Sequence, residues 1–326
     1  MFRTTFPIVP PAWTSPRRDI AHPDAGLCVG SCFAERVGER LLGAGFGAAI
    51  NPFGVLYHPL AIARCLEAVL AGEVLEEAAL RKHPSGEVWY SPDHHSRFSD
   101  THPARALERI NGAIHDAHTH LHAILPDGSN NPYLLLTLGT AKVYFDATTG
   151  AAVANCHKLP AQAFTSRRLD VAECAAALQP ILTRYLEAFP TLRIVLTVSP
   201  VRYLREGMTE SSRSKAALLL ATEQLCTALP RCYYFPAYEL IVDDLRDYRF
   251  YTSDMLHPSE VAVAYVWERF AETFFTPATS ARANGFERLA AMRAHRPFHP
   301  DTAEYAAHVA RAEALARELD SGVARK

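Results

Sequence analysis

Two short stretches carry side chains whose types and spacing suit acyl chemistry. Residues 27–36 read Leu-Cys-Val-Gly-Ser-Cys-Phe-Ala-Glu-Arg, an apolar run that ends at Gly30-Ser31 and opens into a helical pattern. Residues 254–259 read Asp-Met-Leu-His-Pro-Ser, placing a carboxylate three residues before an imidazole, again just ahead of a helical pattern. A serine alcohol is a poor nucleophile until a base removes its proton. A carboxylate bonded to one ring nitrogen of a histidine fixes the tautomer and leaves the other nitrogen as that base. Ser31 is therefore the expected nucleophile, His257 the base and Asp254 its orienter. A helix starting at Cys32 would also aim free N–H groups and a positive dipole end at the reacting centre. Each string has a plainer alternative: Ser31 as a helix N-cap, Asp254 as a cap of the loop around His257. Only the pairing of the two makes the catalytic assignment specific.

Acyl transfer also needs donors for the negative charge of the tetrahedral intermediate. By position at strand ends, the candidates are the N–H groups of Ser31, Gly54, Gly139 and Thr140, together with the Asn51 side chain. Cys32 is a rival nucleophile, since a helix N-terminus lowers a thiol pKa. As the first helical residue after a strand, however, it is expected to turn into the core. Among the 15 histidines, His115, His118 and His122 share a helical face at a spacing that can hold a metal. No companion Cys or carboxylate completes that site, and neither a metal nor an organic cofactor is expected. Lys142, Lys158, Arg202 and Lys215 can bind an anionic group or serve in ordinary ion pairs.

Strand-length apolar runs at Gly26–Gly30, Phe46–Ile50, Tyr133–Leu138, Arg193–Val198 and Arg231–Phe235 must position these groups. Between and after them lie amphipathic segments at 32–43, 59–71, 104–124, 171–188, 210–228 and 259–274. Such alternation predicts a mostly parallel five-stranded sheet covered on both faces, a three-layer α/β/α sandwich. In that architecture ligands bind beyond the carboxyl ends of the strands. Lys142–Asp146 and Ala151–Cys156 read as an added β-hairpin. Residues 73–103, rich in Pro, His, Ser and Asp, read as a long loop insertion of the kind that serves as a lid.

The 326 residues are 49% hydrophobic and 21% charged, with 33 basic against 35 acidic side chains. That balance favours neither nucleic acid nor an anionic membrane as a partner. Seven cysteines without a C-x-x-C pair suit reduced thiols. The first residues lack a long apolar leader segment, and no stretch is long and apolar enough to span a bilayer, so a cytoplasmic protein is expected.

The string Gly30-Ser31-Cys32-Phe33-Ala34 resembles the signature of the GSCFA family. Matching segments continue at Asn51–Gly54, Ser91–Ser99, Thr137–Ala141, Asn155–Lys158, Thr197–Arg202, Ser214–Ala216, Tyr234–Arg249 and Tyr251–Pro258. The resemblance covers about residues 5–275, leaving 276–326 as a helical extension. The family is similar to SGNH/GDSL-type hydrolases, which implies a single α/β/α domain with Ser31, His257 and Asp254 as the triad. Two departures stand out: no acid lies between Gly30 and Ser31, and Gly139-Thr140-Ala141 lacks the oxyanion asparagine of the usual G-x-N block. Thr140 or Asn155 would have to replace it. The family motif Asn155-Cys156-His157-Lys158 is expected at the pocket, so His157 and Lys158 join His95 and Arg202 as candidate substrate contacts. What the resemblance implies is hydrolysis of a carboxylic ester on a small-molecule or carbohydrate substrate. An O-acyltransferase with the same parts and an inactive ligand-binding module are the alternatives.

Overall fold

The computed structural model describes residues 20–123, 131–205 and 207–321. The chain start, read above as free of an apolar leader, lies outside them. The central sheet has five strands: β1 (Ala25–Gly30), β2 (Gly47–Ile50), β3 (Tyr133–Leu138), β4 (Arg193–Val198) and β5 (Cys232–Tyr234). They pair in the order β5-β4-β3-β1-β2, and every pair is parallel. β1 thus lies between β2 and β3, where the order of winding reverses, and the crevice at their carboxyl ends is the natural ligand site.

Side chains alternate across the strands as a pleat requires. Leu27, Val29, Leu134, Leu136, Ile194 and Leu196 enter one core with α2 (Pro59–Ala71), α3 (Pro103–His122), α4 (Val171–Ala188) and α5 (Met208–Ala228). Cys28, Tyr133, Leu135 and Val195 enter the other, against α1 (Cys32–Gly43) and α6 (Glu260–Phe274). Both faces being covered explains why the strands read as unbroken apolar runs. The expected three-layer α/β/α architecture is the one found.

Differences from expectation fall where side chains are polar. The expected hairpin is a three-stranded antiparallel sheet in which Lys142–Asp146 pairs with Ala152–Val153 on one side and Phe164–Arg168 on the other. Phe164–Arg168 is mostly exposed and carries Thr, Ser and two Arg, so it lacks the apolar alternation that marks a strand. The insertion 73–103 contains a two-residue pairing, Arg81–Lys82 with Trp89–Tyr90, and an isolated bridge from Trp89 to Asp100. Beyond α6 come α7 (Pro277–Ala294) and α8 (Ala303–Ser321), which share a small core of Leu289, Ala312 and Leu319. Among the described residues, no helix is long and apolar enough to cross a membrane.

Candidate active site

Gly30 is where sequence dictates local geometry. Its φ is +140°, and a Cβ there would lie 2.1 Å from the Thr137 carbonyl oxygen of β3. Only glycine lets β1 run this close to β3 and then release the chain into a helix. Ser31 follows in extended conformation as N-cap of α1, its hydroxyl oxygen accepting the Phe33 N–H at 3.2 Å. The capping role is therefore real. It coexists with a second one, because Ser31 also lines a cavity of about 310 Å³ at the strand ends.

His257 reaches the same cavity from the far end of the chain. Its loop is closed by a Tyr251–Pro258 bridge and by the Thr252 N–H donating to the His257 carbonyl at 2.7 Å, with Ser259 capping α6 directly after it. Asp254 organises the turn. Its Oδ1 accepts from the Thr252 hydroxyl at 2.6 Å and from the N–H groups of Leu256 and His257 at 2.8 and 3.0 Å. Its Oδ2 meets His257 Nδ1 at 2.6 Å. These bonds, the Thr252 hydroxyl foremost, hold the Asp254 carboxyl well below the usual carboxylate range. With Nδ1 donating to a fixed carboxylate, Nε2 is the nitrogen left to accept a proton. Met255 takes a left-handed φ of +60° inside this turn, which is uncommon for an unbranched apolar residue. No hydrogen bond joins Ser31 directly to His257; they meet as walls of one cavity.

Gly139, Thr140 and Arg202, also singled out from sequence, line the cavity, while Gly54, Asn51, Asn155, His95, His157 and Lys158 do not. Hydrogen bonding decides what the expected oxyanion donors can do. The N–H groups of Gly139 and Thr140 both donate to the Tyr57 carbonyl, at 2.8 and 2.9 Å, and the Ser31 N–H donates to Thr137 at 3.1 Å. Gly54 donates to the Asn51 carbonyl at 2.7 Å, closing a turn pressed against His95. Asn51 is wholly enclosed; its Oδ1 accepts the Gly30 N–H at 2.8 Å, and its Nδ2 has no partner. Two further candidate donors belong to residues that line the cavity. The Cys32 N–H, first in α1, has no carbonyl to reach within the helix. The Thr140 hydroxyl accepts the Lys142 N–H at 3.0 Å and shares a proton with the Ser214 hydroxyl at 2.9 Å.

The Asn155–Lys158 motif packs on the insertion. The Asn155 side chain accepts the His157 N–H at 2.7 Å, and His157 Nε2 donates to the Ser91 carbonyl at 2.9 Å. His95 Nδ1 accepts the Arg97 N–H at 3.3 Å, and Lys158 is exposed with a left-handed φ of +58°. Cys32 departs from expectation, since it is half-buried and lines the cavity instead of the core. Burial, with the Glu35 carboxylate adding to it, pushes its thiol up, away from a reactive thiolate. Of the helical histidines, His118 Nδ1 bonds to the Val69 carbonyl at 2.9 Å, and its ring lies 4.3 Å from that of His122. Among the described residues no group of three or more His, Cys, Asp and Glu side chains could hold a metal ion.

Lys215, expected to bind an anionic group or to serve in an ordinary ion pair, is bonded to two backbone carbonyls. Its Nζ donates to the carbonyls of Gly139 and Ser199, the ends of β3 and β4, at 2.6 and 2.7 Å. It is 4% exposed, and burial pushes its amine down to about 7. A signal existed: Lys215 stands three residues before Leu218 and seven before Thr222, on the buried stripe of α5.

A doubly wound parallel sheet thus gathers an alcohol, a carboxylate-oriented imidazole and a buried amine at its strand ends. The chain belongs to the GSCFA family, whose profile matches residues 27–270. Among solved structures it is similar to an acetyl xylan esterase, Est2A, from the rumen bacterium Butyrivibrio proteoclasticus. The identity is 9% and the TM-score 0.38, with 78% of this chain and 63% of that one covered. No curated protein matches the chain.

Proposed function

We propose that the protein hydrolyses a carboxylic ester through a covalent acyl-enzyme on Ser31. One observation carries the reading: Ser31 and His257 wall the same cavity, with His257 Nδ1 held by Asp254 at 2.6 Å. His257 Nε2 takes the Ser31 proton as Oγ bonds to the ester carbonyl carbon, and the carbonyl π electrons move onto its oxygen. The Cys32 N–H, the N-terminal end of α1 and the Thr140 hydroxyl face that charge. The intermediate collapses, the ester C–O bond breaks, and the alcohol leaves with the proton from His257. Water, deprotonated in turn by His257, repeats the attack on the acyl-enzyme and frees the acid and Ser31. A cavity of about 310 Å³ is at the lower end of small-molecule sites and has room for more than an acetyl group. p-Nitrophenyl acetate, butyrate and longer esters, assayed with wild type and Ser31→Ala, test this; equal rates for the two proteins would end it.

The spent N–H groups of Ser31, Gly139 and Thr140 favour one competing reading, a ligand-binding module on the same fold. It predicts saturable ligand binding with no ester turnover by wild type.

A further inference from the structure

Arg202 is the wall between two cavities. Together with Val201 and Leu204 it lines the reaction cavity, and the same three residues line a second one of about 180 Å³. Ser211, Ser212 and Lys215 from the first turns of α5 close the second cavity, facing Tyr238. Its lining thus holds a guanidinium, an amine and three hydroxyls, and no carboxylate lines either cavity. Arg202 is held in place by aromatic rings instead of an acid: its guanidinium lies 5.1 Å from the Tyr251 ring centre and 5.6 Å from that of Tyr248. Its backbone N–H donates to the Leu256 carbonyl at 3.2 Å, which ties the segment carrying the cation to the His257 loop. Lys215 spends two of its three donors on the Gly139 and Ser199 carbonyls. A buried amine and an arginine thus line one cavity whose lining holds no carboxylate to balance them.

We propose that this second cavity binds an anionic group, a carboxylate or phosphate, carried by the substrate of the reaction cavity. The inference rests on the ester-hydrolase reading and narrows it: the substrates are esters with a negative charge a short distance from the scissile bond. Such an anion would supply the charge that Arg202 and Lys215 lack, and the amine would keep its proton once the anion is in place. Both sources of the anion, substrate-borne or a free ion, share this chemistry.

Three arms separate the possibilities. In the first, kcat/KM of wild type is compared for phenyl acetate and 4-acetoxybenzoate, which differ by one carboxylate. The expected preference for the anion is about tenfold, the size of one charge-assisted hydrogen bond, and Ser211→Asp should abolish it. In the second, calorimetry measures binding of inorganic phosphate and 4-hydroxybenzoate to Ser31→Ala, which needs no turnover. Saturable binding that Ser211→Asp removes supports the site even if no ester is hydrolysed. In the third, phosphate should compete with 4-acetoxybenzoate for wild type. Phosphate that binds but changes turnover without competing would overturn the substrate assignment in favour of a free effector. Ester turnover with no anion preference and no anion binding would overturn the inference while leaving the hydrolase reading intact.

Discussion

The Cys32 thiol beside Ser31 shows how environment weighs on two candidate nucleophiles. Burial and Glu35 push the thiol away from a thiolate, whereas under the proposed mechanism the serine needs only a base, and His257 lines the same cavity. In the proposed mechanism Asp254 fixes one tautomer, so Asp254→Asn should lower kcat by roughly 10³–10⁴-fold while esters still bind, measured by steady-state kinetics. Its depressed pKa keeps it ionised through the acid range. Thr140→Val removes a candidate oxyanion donor and should cost roughly a hundred-fold in kcat with little change in KM. Ser31 and the Asp–His turn were legible because each is a local string at an element boundary. That the Gly139 and Thr140 N–H groups are already engaged was not, because the Tyr57 carbonyl that accepts them comes from a loop distant in sequence.

At the scale of elements, the site depends on how closely β1, β3 and β4 end together. Gly30→Ala forces a Cβ into the Thr137 carbonyl and an L residue into a φ of +140°. Backbone strain of about 1–3 kcal/mol adds to that clash, so a lower melting temperature and loss of ester turnover should appear together. Lys215 clamps the ends of β3 and β4, and its titration carries a sign. The unfolded amine keeps its proton to about pH 10.4, whereas the buried one releases it near 7. The unfolded state therefore binds more protons in that window, and stability rises with pH there. Denaturant unfolding of wild type relative to Lys215→Met should show wild type gaining between pH 7 and 9; a constant difference would contradict the burial argument. The strands Tyr133–Leu138 and Arg193–Val198 were readable to the residue, because burial on both faces writes itself as a continuous apolar run. The exposed edge Phe164–Arg168 was not, since its pairing with Lys142–Asp146 is made by backbone groups that leave no side-chain pattern.

Across the whole molecule, three enclosed histidines set a limit on acid stability. His58 Nδ1 accepts the Ala61 N–H and its Nε2 donates to Val153, both at 3.1 Å, so a second ring proton would break the cap of α2. Burial lowers His58 and His157 to about 4 and His94 to about 3. The unfolded chain takes up these protons near pH 6.5, so stability falls as pH drops from there towards 4. At pH 5 each ring should cost roughly 1–2 kcal/mol, together a large share of the 5–15 kcal/mol typical of a domain. Urea unfolding at pH 7.5 and pH 5 measures this, and equal midpoints would contradict it. One of them ties the insertion to the chain beyond it: His157 Nε2 donates to the Ser91 carbonyl at 2.9 Å, while the Ser91 hydroxyl bonds to His94 at 2.8 Å within the insertion. The family motif around His157 therefore supports the fold beside the cavity. Its sequence suggested a pocket wall because polar residues in a loop look alike whether they meet a ligand or another loop.

Everything turns on Ser31 being an activated alcohol. Incubation with a fluorophosphonate, followed by intact-mass and peptide mass spectrometry, measures that directly. The expected result is one phosphonyl group per chain, on the peptide containing Ser31, absent from Ser31→Ala and slowed at least about a hundred-fold in His257→Asn. An unlabelled wild type, or a label that persists in Ser31→Ala, would contradict the account.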